Sequence, residues 1–314
     1  MNPVSPKILF AQCYGKYTIA AVNVFTMEQV HGLFAAAQES ATPVIVQVTP
    51  AARNYAHPTM LMAMINAAAK IYPETVFAIH LDHGDEHHAF DAIKNGYNSV
   101  MIDASHDDFE TNIKRTKAVV LAAHKGNVVV EAELGVLSGV EDDLSIDASL
   151  AKYTNPAQAK EFVERTDCDS LAVAVGTSHG AYKFSGGHGL QFDVLEKIQR
   201  ELPGFPLVLH GSSSVNKKEV AEINRFGGHL MTNASGVTDE EIKKAIQYGI
   251  CKVNIATDLR LLWTRVHRRF FAEQPELFDP VIPGKEYIKA YKEFMMERFE
   301  VLGCKGKSSS IKLT

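Results

Sequence analysis

The sequence contains no long apolar run. No stretch of its 314 residues approaches the roughly 20 consecutive apolar residues that a membrane-spanning helix needs. The segment from Met1 to Tyr14 also lacks the apolar block and the small-residue cleavage site of a secretory signal peptide. We therefore expect no membrane association and a cytoplasmic location.

Runs of basic residues are absent as well. Lys and Arg together number 32, against 37 for Asp and Glu, which leaves a formal net charge of -5. A protein that binds nucleic acid usually concentrates positive charge on one face or along one helix. The charge pattern therefore predicts no nucleic-acid partner.

Closely spaced cysteines are missing too. The four cysteines are far apart in the sequence, at Cys13, Cys168, Cys251 and Cys304, and this spacing is typical of buried, reduced thiols rather than of a disulfide framework. Hydrophobic residues make up 46% of the chain and charged residues 22%. These fractions match an average globular protein and argue against a disordered, collagen-like or coiled-coil chain.

Short β-branched runs alternate with longer segments in which apolar residues have helical spacing. This alternation predicts parallel strands that are connected by crossover helices. Eight runs are present, at residues 19–24, 44–48, 76–81, 99–102, 128–132, 171–175, 207–209 and 252–255. Predicted helices between them include residues 26–40, 59–71, 87–95 and 109–124.

Eight such units predict an α/β fold, a closed (β/α)8 TIM barrel with a helical C-terminal appendage. An open doubly wound sheet is the alternative, but it often has a glycine-rich turn after its first strand, where this chain reads Asn-Val-Phe-Thr. We expect one domain over residues 1–314, with the appendage at about 271–302 and a flexible tail at 303–314. Two long loops, 135–155 and 176–189, are typical of lids or binding loops.

Polar residues stand where the predicted strands end, which is where barrel enzymes carry their chemistry. Each one alone is also compatible with a helix cap or a turn, but the whole aligned set favours a site. They are Asn23, Thr49, Asp82, His83, Asp103, Glu133, His179, His210 and Asn254. Three of them are histidines, and three protein ligands with one open position are typical of a catalytic zinc site.

Small and hydroxyl-bearing residues follow the last two strands. Residues 210–214 read His-Gly-Ser-Ser-Ser, and residues 254–257 read Asn-Ile-Ala-Thr. In a barrel, backbone N–H groups and hydroxyls in these two loops commonly bind a phosphate. Their position predicts a phosphate site, although a Gly-Ser pattern alone is also typical of a flexible turn.

Seven segments recur in the order expected for one known family. They are PVIVQ at Pro43, HLDHGD at His80, VMIDAS at Val100, VEAELG at Val130, VGTSHGAYKF at Val175, LVLHGSSSV at Leu207 and KVNIATDLRL at Lys252. Together they resemble the class II, metal-dependent ketose-bisphosphate aldolases, and among these the fructose-1,6-bisphosphate aldolases. The resemblance implies a TIM-barrel lyase of glycolysis and gluconeogenesis that splits fructose 1,6-bisphosphate into dihydroxyacetone phosphate and glyceraldehyde 3-phosphate. It also implies a Zn2+ cofactor and a homodimer or homotetramer, and it leaves a monovalent cation (Na+ or K+) open.

The resemblance also implies the roles of individual residues. The zinc ligands fall on His83, His179 and His210, and Asp103 and Glu133 match a second or alternative metal position. The remaining matches are to residues that surround the substrate, including the phosphate of its dihydroxyacetone half. They are Asn23, Thr49, Gly180, Lys183, Gly211, Ser213, Asn254, Thr257 and Arg260.

Two carboxylates match the proton-transfer groups of the family. Cleavage of the C3–C4 bond leaves a carbanion beside the C2 carbonyl, and Zn2+ on that oxygen stabilises the enediolate as a Lewis acid. Asp82 matches the acid/base residue at the C4 hydroxyl, and Glu141 matches the glutamate that moves the C3 proton. Alternatively, Asp82 could only orient the neighbouring His83.

One position departs from the fructose-bisphosphate pattern. Fructose-bisphosphate aldolases commonly read Asn-x-Asp-Thr-Asp after the last strand, and Ala256 replaces the first Asp of that pattern. Tagatose-bisphosphate aldolases resemble this chain in having Ala at this position. Tagatose 1,6-bisphosphate is therefore the alternative substrate. Arg260 with its flanking leucines, and residues 269–279, favour the fructose branch.

Three other functions stay open at this point. A Schiff-base aldolase needs a desolvated lysine inside a strand, but the run 171–175 has none and Lys252 only opens the last run. Many metal-dependent barrel hydrolases have His-x-His after the first strand, where this chain has Asn-Val-Phe. A non-catalytic sugar-phosphate-binding protein would have no need of Asp82 and Glu141.

Overall fold

A computed structural model of the chain describes residues 2–136, 138–141, 144–146, 152–179, 189–232 and 236–311, with the backbone alone at 138–141, 144–146 and 179. The described strands are β1 (Ile19–Asn23), β2 (Val44–Val48), β3 (Phe77–Gly84), β4 (Ser99–Ile102), β5 (Val129–Leu134), β6 (Ser138–Glu141), β7 (Leu144–Ile146), β8 (Ser170–Val173), β9 (Ser178–His179), β10 (Leu207–Leu209) and β11 (Ile250–Ile255). Eight of them close a barrel in the order β1-β2-β3-β4-β5-β8-β10-β11. The other three pair in a second sheet in the order β7-β6-β9.

The barrel strands confirm the predicted (β/α)8 fold. They pair in parallel, and all residues of β1, β2, β4, β5, β8, β10 and β11 are buried. Burial on both sides is expected because one face lines the barrel and the other lies under helices. Each predicted run overlaps one barrel strand. The third strand continues beyond its predicted end at residue 81, because β3 still pairs with β4 at Gly84.

Helices connect the barrel strands. The described α-helices are α1 (Pro6–Cys13), α2 (Met27–Glu39), α3 (Pro50–Ala56), α4 (Pro58–Ile71), α5 (Glu86–Lys94), α6 (Phe109–Ala123), α7 (Pro156–Thr166), α8 (Phe192–Glu201), α9 (Lys217–Arg225), α10 (Asp239–Ala245), α11 (Thr257–Glu273) and α12 (Val281–Val301). Sequence punctuation sets several of their ends. At α10 the Thr238 hydroxyl accepts from the Glu241 N–H, and the Glu241 carboxylate accepts from the Thr238 N–H. Gly249 adopts a left-handed φ of 89° just before β11, as expected of a glycine at a helix end.

The C-terminal appendage packs against the first barrel helix. α11 follows β11 and α12 lies against α2, where Gly32 faces the fully buried Tyr291. A Cβ atom on Gly32 would lie 2.9 Å from the Tyr291 ring. The absence of a side chain at this position therefore allows the two helices to approach closely.

The segment expected to form a flexible tail is held against the barrel as far as Ile311. The N–H groups of Gly306 and Ser308 donate to the carbonyls of Ser40 and Ala41 at the end of α2, and the Ile311 side chain is buried. Residues 312–314 lie outside the described residues. The organisation of residues 1–314 as one domain stays a prediction.

The four cysteines are buried and free, and all of them lie among the described residues. Cys13 donates through its sulfur to the Cys251 carbonyl at 3.6 Å. No helix within the described ranges has both the length and the apolar character needed to cross a membrane.

Two glycine substitutions test the packing of α12 against α2. Gly32→Ala should lower the free energy of unfolding by about 1–3 kcal/mol, because its methyl group would overlap the buried Tyr291 ring. Gly284→Ala is the matched control. Its methyl group would meet only a Glu28 oxygen at 3.8 Å, so the higher helix propensity of Ala should raise stability by up to about 1 kcal/mol. Urea unfolding checks both variants, and equal shifts would contradict close packing at Gly32.

Candidate active site at the barrel mouth

Asp82 lies near the C-terminal end of β3, and its side chain is fully buried. Three side-chain amides from other barrel strands donate to its carboxylate. Asn23 Nδ2 and Gln47 Nε2 lie 2.9 and 3.2 Å from Oδ2, and Asn254 Nδ2 lies 3.1 Å from Oδ1. A buried carboxylate is tolerated only with such donors. Closure of the barrel supplies them, since β1, β2 and β11 all contribute to one site on β3.

A bulge near the end of β3 directs two consecutive side chains to the same place. Between the pairings of Leu81 and Gly84, β3 has two residues, Asp82 and His83, where β4 has one. His83 adopts a left-handed φ of 49°. In a regular strand these neighbours would point to opposite faces, whereas here ligand atoms of Asp82, His83 and His210 lie within 4.8 Å of one another.

His83 is oriented by a carboxylate that follows β4. Its Nδ1 lies 2.8 Å from Asp103 Oδ2, and the Ser105 hydroxyl donates to Asp103 Oδ1 at 2.8 Å. Burial raises the pKa of Asp103, but the hydrogen bonds and charge of His83, together with Ser105, outweigh burial and hold this pKa well below its usual range. An ionised Asp103 therefore sets the direction of the His83 ring.

His210, which directly follows β10, is fully buried beside His83. The two ring centroids are 4.7 Å apart in an edge-to-face arrangement. His210 Nε2 lies 2.9 Å from Glu131 Oε1, and Nδ1 lies 3.4 Å from Glu133 Oε2. Burial lowers the pKa of His210, but the hydrogen bond to Glu131 and the close contact with the Glu133 carboxylate outweigh burial and raise this pKa to about 9.

Glu131 also forms an ion pair with Lys252 inside the barrel. Lys252 Nζ lies 3.0 Å from Glu131 Oε1 and 2.9 Å from Oε2, and both side chains are 1% exposed. The same ammonium donates to Asn254 Oδ1 at 2.8 Å. Burial raises the pKa of Glu131, but the charge of Lys252 and the contacts with His80 and His210 together outweigh burial, so this pKa lies well below its usual range.

The loop after β10 makes a close backbone approach that only glycine allows. Gly211 has a left-handed φ of 61°, and a Cβ there would lie 2.6 Å from the Ser178 carbonyl oxygen. Asp258, near the start of α11, accepts from the N–H groups of Ser214 at 2.8 Å and Val215 at 2.9 Å. The predicted phosphate loops after β10 and β11 are thus joined to each other.

The other described residues that are predicted to contact the substrate lie on several different loops and helices. Ser213 is buried in the loop after β10, and Thr257 is the first residue of α11. The Arg260 guanidinium lies 5.4 Å from the centre of the Phe25 ring, after β1. Thr49 follows β2, and its hydroxyl oxygen caps α3 by accepting from a backbone N–H at 3.1 Å.

Several predicted site residues lie wholly or partly outside the described residues. Gly180 and Lys183 are not described, and Glu141 and His179 are described only as backbone. Glu141 ends β6, and His179 ends β9, which pairs with β6. The two long loops predicted from the sequence are therefore connected by strand pairing.

The chain matches a known protein family over almost its whole length. Residues 5–307 match the family described as fructose-bisphosphate aldolase class-II. The chain belongs to this family. A fructose-bisphosphate aldolase of Giardia intestinalis is 42% identical over 303 residues, covering 95% of this chain and 92% of that protein. One of Thermus caldophilus is 41% identical over 296 residues, covering 93% of this chain and 95% of that protein.

A solved structure agrees with the sequence relatives. The YdjI aldolase from Escherichia coli K12 superposes with a TM-score of 0.78 at 31% identity, covering 98% of this chain and 100% of that chain. The resemblance stated from sequence motifs is confirmed. Because the sequence relatives are named fructose-bisphosphate aldolases, they do not favour the tagatose alternative.

Among the described residues of this class II aldolase, two groups of side chains could hold a metal ion. One consists of Asp82, His83 and His210, and the other of His83, Asp103 and Glu133, each with ligand atoms within 4.8 Å of one another. Imidazole and carboxylate donors suit Zn2+ and related divalent ions. His83 contacts a carboxylate through Nδ1 and His210 contacts one through Nε2, and such a carboxylate partner is typical of metal-binding histidines. The donor chemistry therefore fits a divalent cation.

Four polar residues of this site are not assigned to it from the sequence, namely Gln47, Glu131, Lys252 and Asp258. The first three lie inside buried strands, among apolar neighbours. Lys252, expected to open the last run, is instead the third residue of β11. A polar residue within such a run signals a buried partner, because an unpaired one would be costly. The partners themselves come from distant parts of the chain, so the run alone could not identify them.

Proposed function

We propose that this aldolase reversibly cleaves fructose 1,6-bisphosphate into dihydroxyacetone phosphate and glyceraldehyde 3-phosphate, as a zinc-dependent aldehyde-lyase. One observation carries the proposal: the buried, amide-held carboxylate of Asp82 lies within 4.8 Å of the imidazoles of His83 and His210. Retro-aldol cleavage needs a proton acceptor beside an electrophile. The names of the relatives support fructose 1,6-bisphosphate as the substrate.

A metal ion would be held at the barrel mouth by three histidines. They are His83, His210 and His179, with Asp103 and Glu133 as the alternative position. When bound, Zn2+ supplies a Lewis acid for the ketose carbonyl. A monovalent cation stays a prediction.

Asp82 would accept the C4 hydroxyl proton during cleavage and return it to the aldehyde oxygen in the reverse direction. The amides of Asn23, Gln47 and Asn254 hold its carboxylate from three strands, so its position does not depend on a loop. Glu141, which lies on β6, would move the C3 proton of the substrate.

The loops after β10 and β11 would bind the phosphate of the dihydroxyacetone half. Close backbone approach at Gly211 and the start of a long helix at Thr257 support an anion site here, because helix N-termini favour anions. The proposed substrate contacts are Asn23, Thr49, Gly180, Lys183, Gly211, Ser213, Asn254, Thr257 and Arg260.

Metal removal provides the first test. The metal-free protein should bind Zn2+, and His210→Ala should weaken that binding by on the order of 100-fold or more, because a ligand and its carboxylate contacts are lost together. His124→Ala is the control, since that partly exposed ring pairs with Asp169 at 3.0 Å instead. Competition with a chelating dye measures both affinities. An affinity in His210→Ala equal to that of the parent would contradict the ligand assignment.

Substitution of Asp82 tests the acid/base role. With Zn2+ saturating, Asp82→Asn should lower kcat for release of triose phosphate by on the order of 10²- to 10⁴-fold, because the proton acceptor is lost. Asp108→Asn, at the exposed N-cap of α6, should leave kcat unchanged. The coupled assay is run with fructose and tagatose 1,6-bisphosphate in parallel. Saturable binding without release by the parent would favour the non-catalytic alternative, and a lysine adduct trapped by borohydride would favour a Schiff base.

We also propose that the chain forms a homodimer or homotetramer through the surface around the start of α12. Trp263, Phe271, Phe278 and Val281 are 47 to 93% exposed there, and exposed apolar clusters commonly mark interfaces. The double variant Phe271→Ser/Phe278→Ser should lower the mass measured by sedimentation equilibrium. Tyr55→Ser, at an exposed tyrosine on α3, is the control. A monomeric parent, or an oligomer unaffected by the double variant, would argue against this surface.

A further inference from the structure

A continuous chain of buried side chains joins a proposed metal ligand to the proposed acid/base residue. In order, its members are His210, Glu131, Lys252, Asn254 and Asp82. The four contacts are 2.9 Å from His210 to Glu131, 2.9 to 3.0 Å from Glu131 to Lys252, 2.8 Å from Lys252 to Asn254 and 3.1 Å from Asn254 to Asp82. Lys252 is the central member and is 1% exposed.

The chemistry of an ammonium group decides how its two neighbours are oriented. Lys252 has donors and no acceptor, so Asn254 must present its carbonyl oxygen to Lys252. The Asn254 amide nitrogen then faces Asp82, where it donates to Oδ1. Replacing the ammonium with an apolar group would remove the contact that selects this orientation.

The same ammonium orients the metal side of the site. It contacts both oxygens of Glu131, and Oε1 also contacts His210 Nε2. Glu131 therefore receives Nε2–H, which makes Nδ1 the ring nitrogen directed toward Glu133. A carboxylate on one imidazole nitrogen fixes the tautomer and ring direction of a metal-binding histidine.

We propose that Lys252 is a positioning residue that orients His210 through Glu131 and Asp82 through Asn254. The inference rests on the proposed aldolase function for the Asp82 half, whereas the His210 half can be tested by metal binding alone. Lys252 touches neither substrate nor metal in this role. Its buried charge is retained because one ammonium satisfies two acceptors that belong to different parts of the site.

Two variants separate the two branches of this hydrogen-bonded network: the His210 branch, through Glu131, and the Asp82 branch, through Asn254. Glu131→Gln replaces the carboxylate beside His210 but keeps an oxygen for Lys252, so Zn2+ affinity should fall by about 10- to 100-fold, while the fall in kcat at saturating Zn2+ should be smaller than in Lys252→Met. Lys252→Met removes both contacts. It should weaken Zn2+ binding similarly and also lower kcat at saturating Zn2+ by on the order of 10- to 100-fold, with little change in KM.

The measurements are dye competition for Zn2+, steady-state kinetics at saturating Zn2+ and the visible spectrum of the Co2+-substituted protein. A changed Co2+ spectrum should appear in both variants, which a general loss of stability would not produce. If Lys252→Met does not fold, the double variant Lys252→Met/Glu131→Gln carries the test, because it leaves no unpaired buried charge. This double variant should show the same losses of Zn2+ affinity and of kcat as Lys252→Met.

Arg298→Met is the matched control for removal of a buried cation. Arg298 is 8% exposed and pairs with Asp239 at 2.5 Å, so the variant should lose stability and keep its Zn2+ affinity, Co2+ spectrum and kcat. Parent-like affinity and kcat in folded Lys252→Met would overturn the proposal. An inactive parent would instead count against the aldolase function, and the Zn2+ affinity of Lys252→Met would still test the His210 branch.

Discussion

Charged groups are stable inside this barrel because they have partners on other barrel strands, most of which are not adjacent in the sheet. Taking a carboxylate or an ammonium out of water costs several kcal/mol, and only close, well-placed partners offset that cost. Glu131 on β5 has Lys252 on β11, and Asp82 on β3 has amides from β1, β2 and β11. None of these partners is local in sequence. The polar interior therefore depends on closure of the barrel, which places the first and last strands side by side.

The site also depends on a local feature, the bulge in β3. A left-handed backbone at a residue other than glycine costs of order 1 kcal/mol or more and persists only where the surroundings require it. At His83 the surroundings are the Asp103 contact and the continued pairing of Gly84 with β4. In return, the carboxylate of Asp82 and the ring of His83 reach the same space. A regular strand would have offered only one of them.

Much of the fold follows from local patterns in the sequence, whereas the connections within the site do not. The β-branched runs predict all eight barrel strands, and polar residues such as Asn23 and His210 at their ends indicate where the site lies. The pairing of Glu131 with Lys252 could not be identified in this way, because each lies inside a largely apolar run and the two residues are 121 positions apart. Their pairing depends on strand register and barrel closure. Periodicity does not report either property.

The site draws on two kinds of structural support. Asp82, His83, His210 and Asn254 lie in barrel strands or directly follow them, so the geometry of the strands sets their separation. Glu141 and His179 instead belong to β6 and β9, which pair with each other at Ser138–Ser178 and Gly139–His179 rather than with a barrel strand. Backbone hydrogen bonds therefore connect the segment that carries the proposed C3 base to the segment that carries the third proposed ligand. These two proposed groups therefore share a backbone support that is separate from the strands that hold Asp82, His83, His210 and Asn254.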